Sequence, residues 1–325
     1  VIESPPRSKT LLSHTSSSSR TKIALWQTPG SDIAGKSRVF ETAPDRSSAE
    51  RKLTLLRRSG LFGEDTKGAV ICRASPFDDL RQAFRLVHDV YLSFRYIHAE
   101  PSGMRVRLFE TLLENATFVA KKDGQVVGVL SIVGDSPDLG LPTDGVFRDE
   151  LNTLRRAGTR LCELTNQAVV EEFKKSAVPT ELMRCALAHG VMSGYQQGIA
   201  VVCPKHNRFY DMMGFRQVGQ ERSYSQTIND PVVALSLDFS RFRHVPREAT
   251  PIELFFYYFL SSGNPYRCCV ARWAEQAQTS FLNAKLLSRL FFGEWNLLAE
   301  CTLLELQILQ MLWGGELFEE VLDPW

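Results

Sequence analysis

A chain of 325 residues, 44% hydrophobic and 23% charged, has the composition of a soluble globular protein with room for one large domain or two ordinary ones. A formal net charge of +1 supplies no global field for nucleic acid, and no apolar run of about 18 residues suggests a spanning helix. Seven scattered cysteines without a C-x-x-C pair argue against a zinc ribbon or thioredoxin-like chemistry; they fit free thiols in a reducing, cytoplasmic compartment, and no metal site is expected.

Residues 1–66 read as a flexible or disordered extension. They hold Ser16–Ser19, Pro5 and Pro6, eleven Lys/Arg against seven Asp/Glu, and little apolar periodicity to offset ordering entropy. The Arg- and Ser-rich start also resembles a transit peptide. The texture changes at Ala69, where residues 69–74 read as a short strand. Ser75 and Pro76 supply an N-cap and first helical position, with Asp78 and Asp79 in the first turn. The helix they open runs to Ser93, with Leu80, Phe84, Val87 and Tyr91 on one face. Residues 117–121 and 126–133 flank Asp123-Gly124, a strong hairpin signal.

A helix over 146–154 closes near Gly158, and residues 160–170 form a strand that carries Glu163, Thr165 and Asn166 inside an apolar run. A carboxylate there is costly unless paired or used. A helix from Pro179 to Gly198, a strand over 199–203, a short helix over 207–213 closed by Gly214, a strand from Phe215 and a last strand over 232–238 complete the series. The order predicts an α/β fold, a mixed sheet with helices on both sides, over residues 67–245.

Residues 246–325 read as a helical C-terminal extension. From 251 onward it has nine Asp/Glu against four Lys/Arg and four of the five tryptophans. The stretch from Leu286 to Trp313 is one long amphipathic helix or two. It packs on the main domain or makes a peripheral membrane contact, and its acidic balance counts against the second.

The element order and the segment Asn207–Phe215, with Phe209-Tyr210 and Gly214-Phe215, resemble the GNAT acyltransferase fold. Within it, residues 85–91, Pro101–Arg105 and Asp135–Pro142 with Phe147 resemble the long-chain N-acyl amino acid (N-acyl tyrosine) synthases. Cys162–Val169 is similar to the Glu-x-Ser-Arg strand of the related N-acyl homoserine lactone synthases. The resemblance covers roughly residues 68–240 and implies a GNAT-like sheet and an N-acyltransferase. Asn166 stands where the lactone synthases have Arg, which favours the amino acid branch. The Gly-rich turn with which many GNAT enzymes cradle the pyrophosphate of coenzyme A is replaced by Glu171–Val178, with two glutamates. That favours an acyl carrier protein thioester as donor over acyl-CoA. No permanently bound cofactor is expected, only an acyl-phosphopantetheine substrate.

Aminolysis of a thioester needs a base, an oxyanion site and an acid for the leaving thiolate. Glu163 is the candidate base, with a structural ion pair to Arg85 or Arg105 as the other reading. The resemblance makes Tyr210 the candidate acid; a core tyrosine is the alternative. Arg85 and Arg105 suit the acceptor's carboxylate. Asp89, Leu164, Thr165, Asn166 and Asn207 are the remaining substrate-binding candidates. Lys174, Lys175, Arg184 and Lys205 are candidates for a basic surface facing an acidic carrier protein. The competing functions are an acetyl-CoA-dependent acetyltransferase, a homoserine lactone synthase and a non-catalytic module that binds acyl carrier or lipid.

Overall fold

The computed structural model describes residues 65–74, 77–112, 114–224, 231–242, 264, 266, 269–272, 283–293, 297 and 301–322. The expected N-terminal extension up to residue 64, the Ser75-Pro76 helix start and much of 246–325 lie outside the described residues. Seven strands form one sheet: β1 (Val70–Arg73), β2 (Ala116–Lys122), β3 (Gln125–Gly134), β4 (Leu161–Val169), β5 (Gln197–Val202), β6 (Arg216–Ser223) and β7 (Pro231–Asp238), in the order β1-β2-β3-β4-β5-β7-β6. All neighbours are antiparallel except β4 and β5. The helices of this part are α1 (Phe77–Ser93), α2 (Asp144–Arg156), α3 (Val178–Met192) and α4 (Asn207–Met212). This is the mixed, helix-flanked sheet and the element order expected from the sequence.

The β2–β3 hairpin turns on Asp123 and Gly124, both at positive φ (49° and 78°), between the paired Lys122 and Gln125. Asp-Gly favours such a turn because both residues tolerate the left-handed region. The helix α1 buries Leu80, Ala83, Phe84 and Val87, an i, i+3, i+4, i+7 stripe, against Val119, Val126 and Val129 of the sheet. Leu80, Phe84 and Val87 each contribute about 1.5–3 kcal/mol on leaving water. Its first-turn Asp79 accepts from Lys121 Nζ of β2 at 2.6 Å. On the opposite face, α3 buries Val178, Leu182, Met183 and Ala186 against Phe118, Leu130 and Leu164.

The end of α3 differs from expectation. The helix α3 ends at Met192 rather than Gly198, because Gly194 takes φ 78° and Tyr195 N–H turns back to Gly190 O at 3.1 Å. The residues 197–198 assigned to the helix instead begin β5. At the C-terminus, Leu286 to Trp313 is two helices, α5 (Ala284–Phe292) and α6 (Leu303–Trp313), followed by α7 (Gly315–Leu322). Thr302 and Glu305 form a capping box that starts α6, and Gly314, at φ 84°, ends it. Leu287, Leu290, Leu309, Trp313 and Val321 share the core of α1. No helix among the described residues is long and apolar enough to cross a membrane.

Candidate active site

The centre of the sheet splits. β4 pairs with β5 only through Leu161↔Gln197, Cys162↔Gly198 and Glu163↔Ile199, while its pairing with β3 continues to Val169. Beyond Glu163 the two parallel strands part, and the backbone groups of Leu164 onward on that edge have no β5 partner. On its other edge β4 carries a bulge. Ser131 pairs with Thr165 and Val129 with Ala168, so β4 has one residue more than β3, and Asn166 takes φ 56°. Asparagine is among the few non-glycine residues that enter this region readily. The bulge turns Asn166 into the polar face and shifts the alternation: Cys162, Leu164 and Val169 join the core under α3, Ala168 the core under α1.

Glu163 is 4% exposed and has no Lys or Arg within ion-pair distance among the described residues. Its Oε2 accepts from Thr143 Oγ1 at 2.6 Å and Thr143 N at 2.8 Å, while Oε1 accepts from no described residue. Burial raises its pKa above 4.5; the Thr143 hydroxyl, Arg107, the Thr143 N–H and Arg105 oppose the shift without cancelling it. Thr143 stands at the entrance of α2. Its loop is clamped by Arg155, which donates to Asp135 at 2.8 Å through Nε and Nη2, and to Asp144 at 2.7 and 2.6 Å through Nη1 and Nη2.

A second polar cluster lies around the bulge. The Arg107 guanidinium donates to Glu110 at 2.6 Å, and the Arg107 N–H caps the same carboxylate at 2.6 Å. Burial alone would pull Arg107 down and Glu110 up, but their mutual attraction outweighs it, so Arg107 moves up and Glu110 down, an ionised pair. Asn166 Nδ2 donates to Glu110 at 2.8 Å and to Ser131 Oγ at 3.3 Å; its Oδ1 accepts from Arg105 Nη1 at 2.6 Å. Arg105, stacked 5.2 Å from the Tyr91 ring centroid, has no carboxylate partner among the described residues, and burial lowers its pKa. Half-buried, its guanidinium is bound to a neutral amide.

On the far side of the split, Tyr210 of α4 is buried and donates its hydroxyl to Gln167 Oε1 of β4 at 2.5 Å. Burial raises its pKa, so it stays protonated at neutral pH. The Asn207 side-chain Oδ1, at the start of the same helix, is buried without a donor among the described residues. At the ends of β4 and β5, Lys174 and Lys205 lie 4.9 and 5.2 Å from the centroid of Phe94, which stacks on Tyr96. Lys175 is the next residue of the same turn.

Thus the fold brings Glu163, Thr165, Asn166 and Arg105 to one region, Tyr210 and Asn207 to the other flank of the split, and Lys174 and Lys205 to its mouth. It does not gather the rest. Arg85 is exposed on α1, and Asp89 is exposed and bonded to His88 Nδ1 at 3.1 Å. The Leu164 side chain fills the core against Gly198. Arg184 pairs with Glu181 at 2.9 Å, largely buried on α3, away from the lysines.

Thr143, Arg107, Glu110, Ser131 and Gln167 were not singled out from sequence. Thr143 before an acidic helix start reads as an ordinary N-cap, yet its hydroxyl makes no cap bond and goes to Glu163 instead. The Arg107–Glu110 spacing of three was the one available signal of a pair.

Residues 82–238, just under half of the chain, match the family model described as N-acyl amino acid synthase FeeM. Among solved structures it is similar to FeeM, an N-acyl amino acid synthase from uncultured soil microbes, at 25% identity, covering 55% of this chain and 95% of that one, with a TM-score of 0.47. It is similar to BjaI, a CoA-dependent acyl-homoserine lactone synthase, at 19% identity, covering 63% and 98%, with a TM-score of 0.43. A putative N-acetyltransferase from Lactobacillus plantarum shares 14% identity over 53% and 98%, with a TM-score of 0.39. No curated protein matches the chain by sequence.

Proposed function

We propose that this domain of the N-acyl amino acid synthase FeeM family transfers a long-chain fatty acyl group from an acyl carrier protein thioester to the α-amine of an amino acid in the cytoplasm. The observation that carries the reading is the asymmetry of Glu163. One carboxylate oxygen is held twice by Thr143, and the other accepts nothing from the described residues, beside the point where β4 and β5 part. A carboxylate anchored by one oxygen, with its pKa raised by burial, suits proton abstraction at the second oxygen.

The acceptor's carboxylate takes the Arg105 guanidinium, and its amine faces Glu163. Glu163 Oε1 accepts an N–H proton as the nitrogen attacks the thioester carbon. Backbone N–H groups along the split hold the oxyanion. As the tetrahedral adduct collapses, the C–S bond breaks and Tyr210 gives its hydroxyl proton to the departing thiolate. The proton gained by Glu163 returns to Tyr210 through solvent, leaving amide and free thiol. Asn207 Oδ1, buried without a donor, fits a pantetheine amide N–H.

Carrier protein is favoured over coenzyme A as donor because the start of α3 is already satisfied from within. Ala177 N–H donates to Asp65 O at 2.7 Å and Val178 N–H to Ser176 Oγ at 3.1 Å, so these amides are not open to a pyrophosphate. Lys174, Lys175 and Lys205 at the mouth of the split suit an acidic carrier.

The test is mass spectrometry of products from purified protein, acyl-carrier-protein thioester and a panel of amino acids. N-acyl amino acids are expected, with Glu163→Gln and Tyr210→Phe each slower by roughly 10²–10⁴-fold. An undiminished rate in Glu163→Gln removes it as the base, and tight calorimetric binding of coenzyme A would return the donor to acyl-CoA.

A further inference from the structure

We infer that the C-terminal helices, which lie outside the family match, complete the acceptor site by holding the Arg105–Thr111 loop in place, with Trp313 as the positioning residue; this rests on the reading of Arg105 as the acceptor's carboxylate site. The loop has little regular structure of its own. It is tied to α1 at Arg105, whose N–H donates to Phe84 O at 3.1 Å, and ends in a single 3₁₀ turn, Leu108–Thr111. Its inner side is fixed by the Arg105–Asn166 and Asn166–Glu110 bonds to the bulge of β4.

Its outer side is fixed by the C-terminal helices. Trp313, at the end of α6, is 8% exposed and donates its indole Nε1–H to the Thr111 carbonyl at 3.1 Å. Thr111 is fully buried, and its own hydroxyl closes the turn on Leu108 O at 2.7 Å. Glu110, one peptide bond before that carbonyl, is the carboxylate that neutralises Arg107 and orients the Asn166 amide. Leu108 of the loop and Met104 and Leu112 that flank it share one core with Leu287, Leu290, Leu309, Trp313 and Val321. The loop is therefore held between the sheet, which sets its polar side chains, and α5–α7, which cover its apolar ones. Without the outer wall the turn loses a buried hydrogen bond and its apolar cover, and the Arg105–Asn166–Glu110 geometry loses its backing.

The discriminating variant is Trp313→Phe, which keeps an aromatic ring and removes the indole N–H. The expected result is a KM for the amino acid raised about three- to tenfold, the equilibrium worth of roughly one hydrogen bond. The donor KM should be unchanged, with faster amide hydrogen exchange in residues 105–112 but not in β2 or β3. A fall in thermal stability with acceptor KM and loop exchange both unchanged overturns the proposal, since Trp313 would then only fill space. Because exchange is read without turnover, a chain that makes no N-acyl amino acid but shows the local exchange change refutes the functional reading and leaves the clamp standing.

Discussion

Removing the Thr143 hydroxyl should move the acid limb of the rate profile upward while leaving the plateau nearly intact. In Thr143→Val the backbone N–H bond to Glu163 Oε2 survives, but the 2.6 Å bond from the hydroxyl is lost. Hydrogen bonds to a charged group contribute about 1.5–3 kcal/mol, and this one favours the ionised form of Glu163. Burial already raises the Glu163 pKa, and the hydroxyl is the largest opposing influence, so its loss raises the pKa further. A base acts only when ionised, so kcat/KM at a pH below the limb should fall by roughly 10–100-fold. Above the limb, both proteins are ionised and should agree within a few-fold. The assay is kcat/KM for a saturating donor and limiting amino acid across the acid range. If the limb stays in place while the plateau drops, Thr143 only positions the carboxylate; if the limb moves down, the assignment of the bond to the ionised form is wrong.

Two further outcomes probe the rest of the fold. His189, on α3, is buried against the ring of Phe118 of β2, and burial with the nearby Arg73 holds its pKa near 3, far below the usual 6.5. The unfolded chain therefore binds a proton below pH 6.5 that the folded chain refuses, so stability falls as pH drops from there toward 3, by up to about 1.4 kcal/mol per pH unit. His189→Gln should flatten melting temperature against pH between 7 and 4, and parallel curves would contradict this. At the surface, Lys174→Glu with Lys205→Glu should raise the carrier-protein donor KM about tenfold and weaken its salt dependence, with the amino acid KM unchanged; equal shifts in both KM values would place the lysines elsewhere in the reaction.

The sheet was legible because each strand announces itself locally. Alternating β-branched residues and a single Asp-Gly suffice to place the β2–β3 hairpin, and Glu163 stood out because a carboxylate in an apolar run violates the pattern. The bulge at Asn166 was not legible in the same way: the order Thr165-Asn166-Gln167 does not say which residue takes the left-handed conformation until β3 supplies the pairing that demands one residue too many. The same limit explains Thr143 and Glu110, whose local roles as an N-cap and as the third residue of a turn are both plausible from sequence. In the fold, Thr143 spends its hydroxyl on a carboxylate twenty residues away, and Glu110 takes an amide fifty-six residues away. Glu163 alone is a buried acid; Thr143 and the Arg155 clamp make it an oriented one. Arg105 alone is a cation on an irregular loop; Asn166 on one side and the C-terminal helices on the other hold that loop in place. The candidate base Glu163 was thus readable because it breaks a local rule, whereas the residues that orient it obey local rules and become visible only through contacts the sequence does not encode nearby.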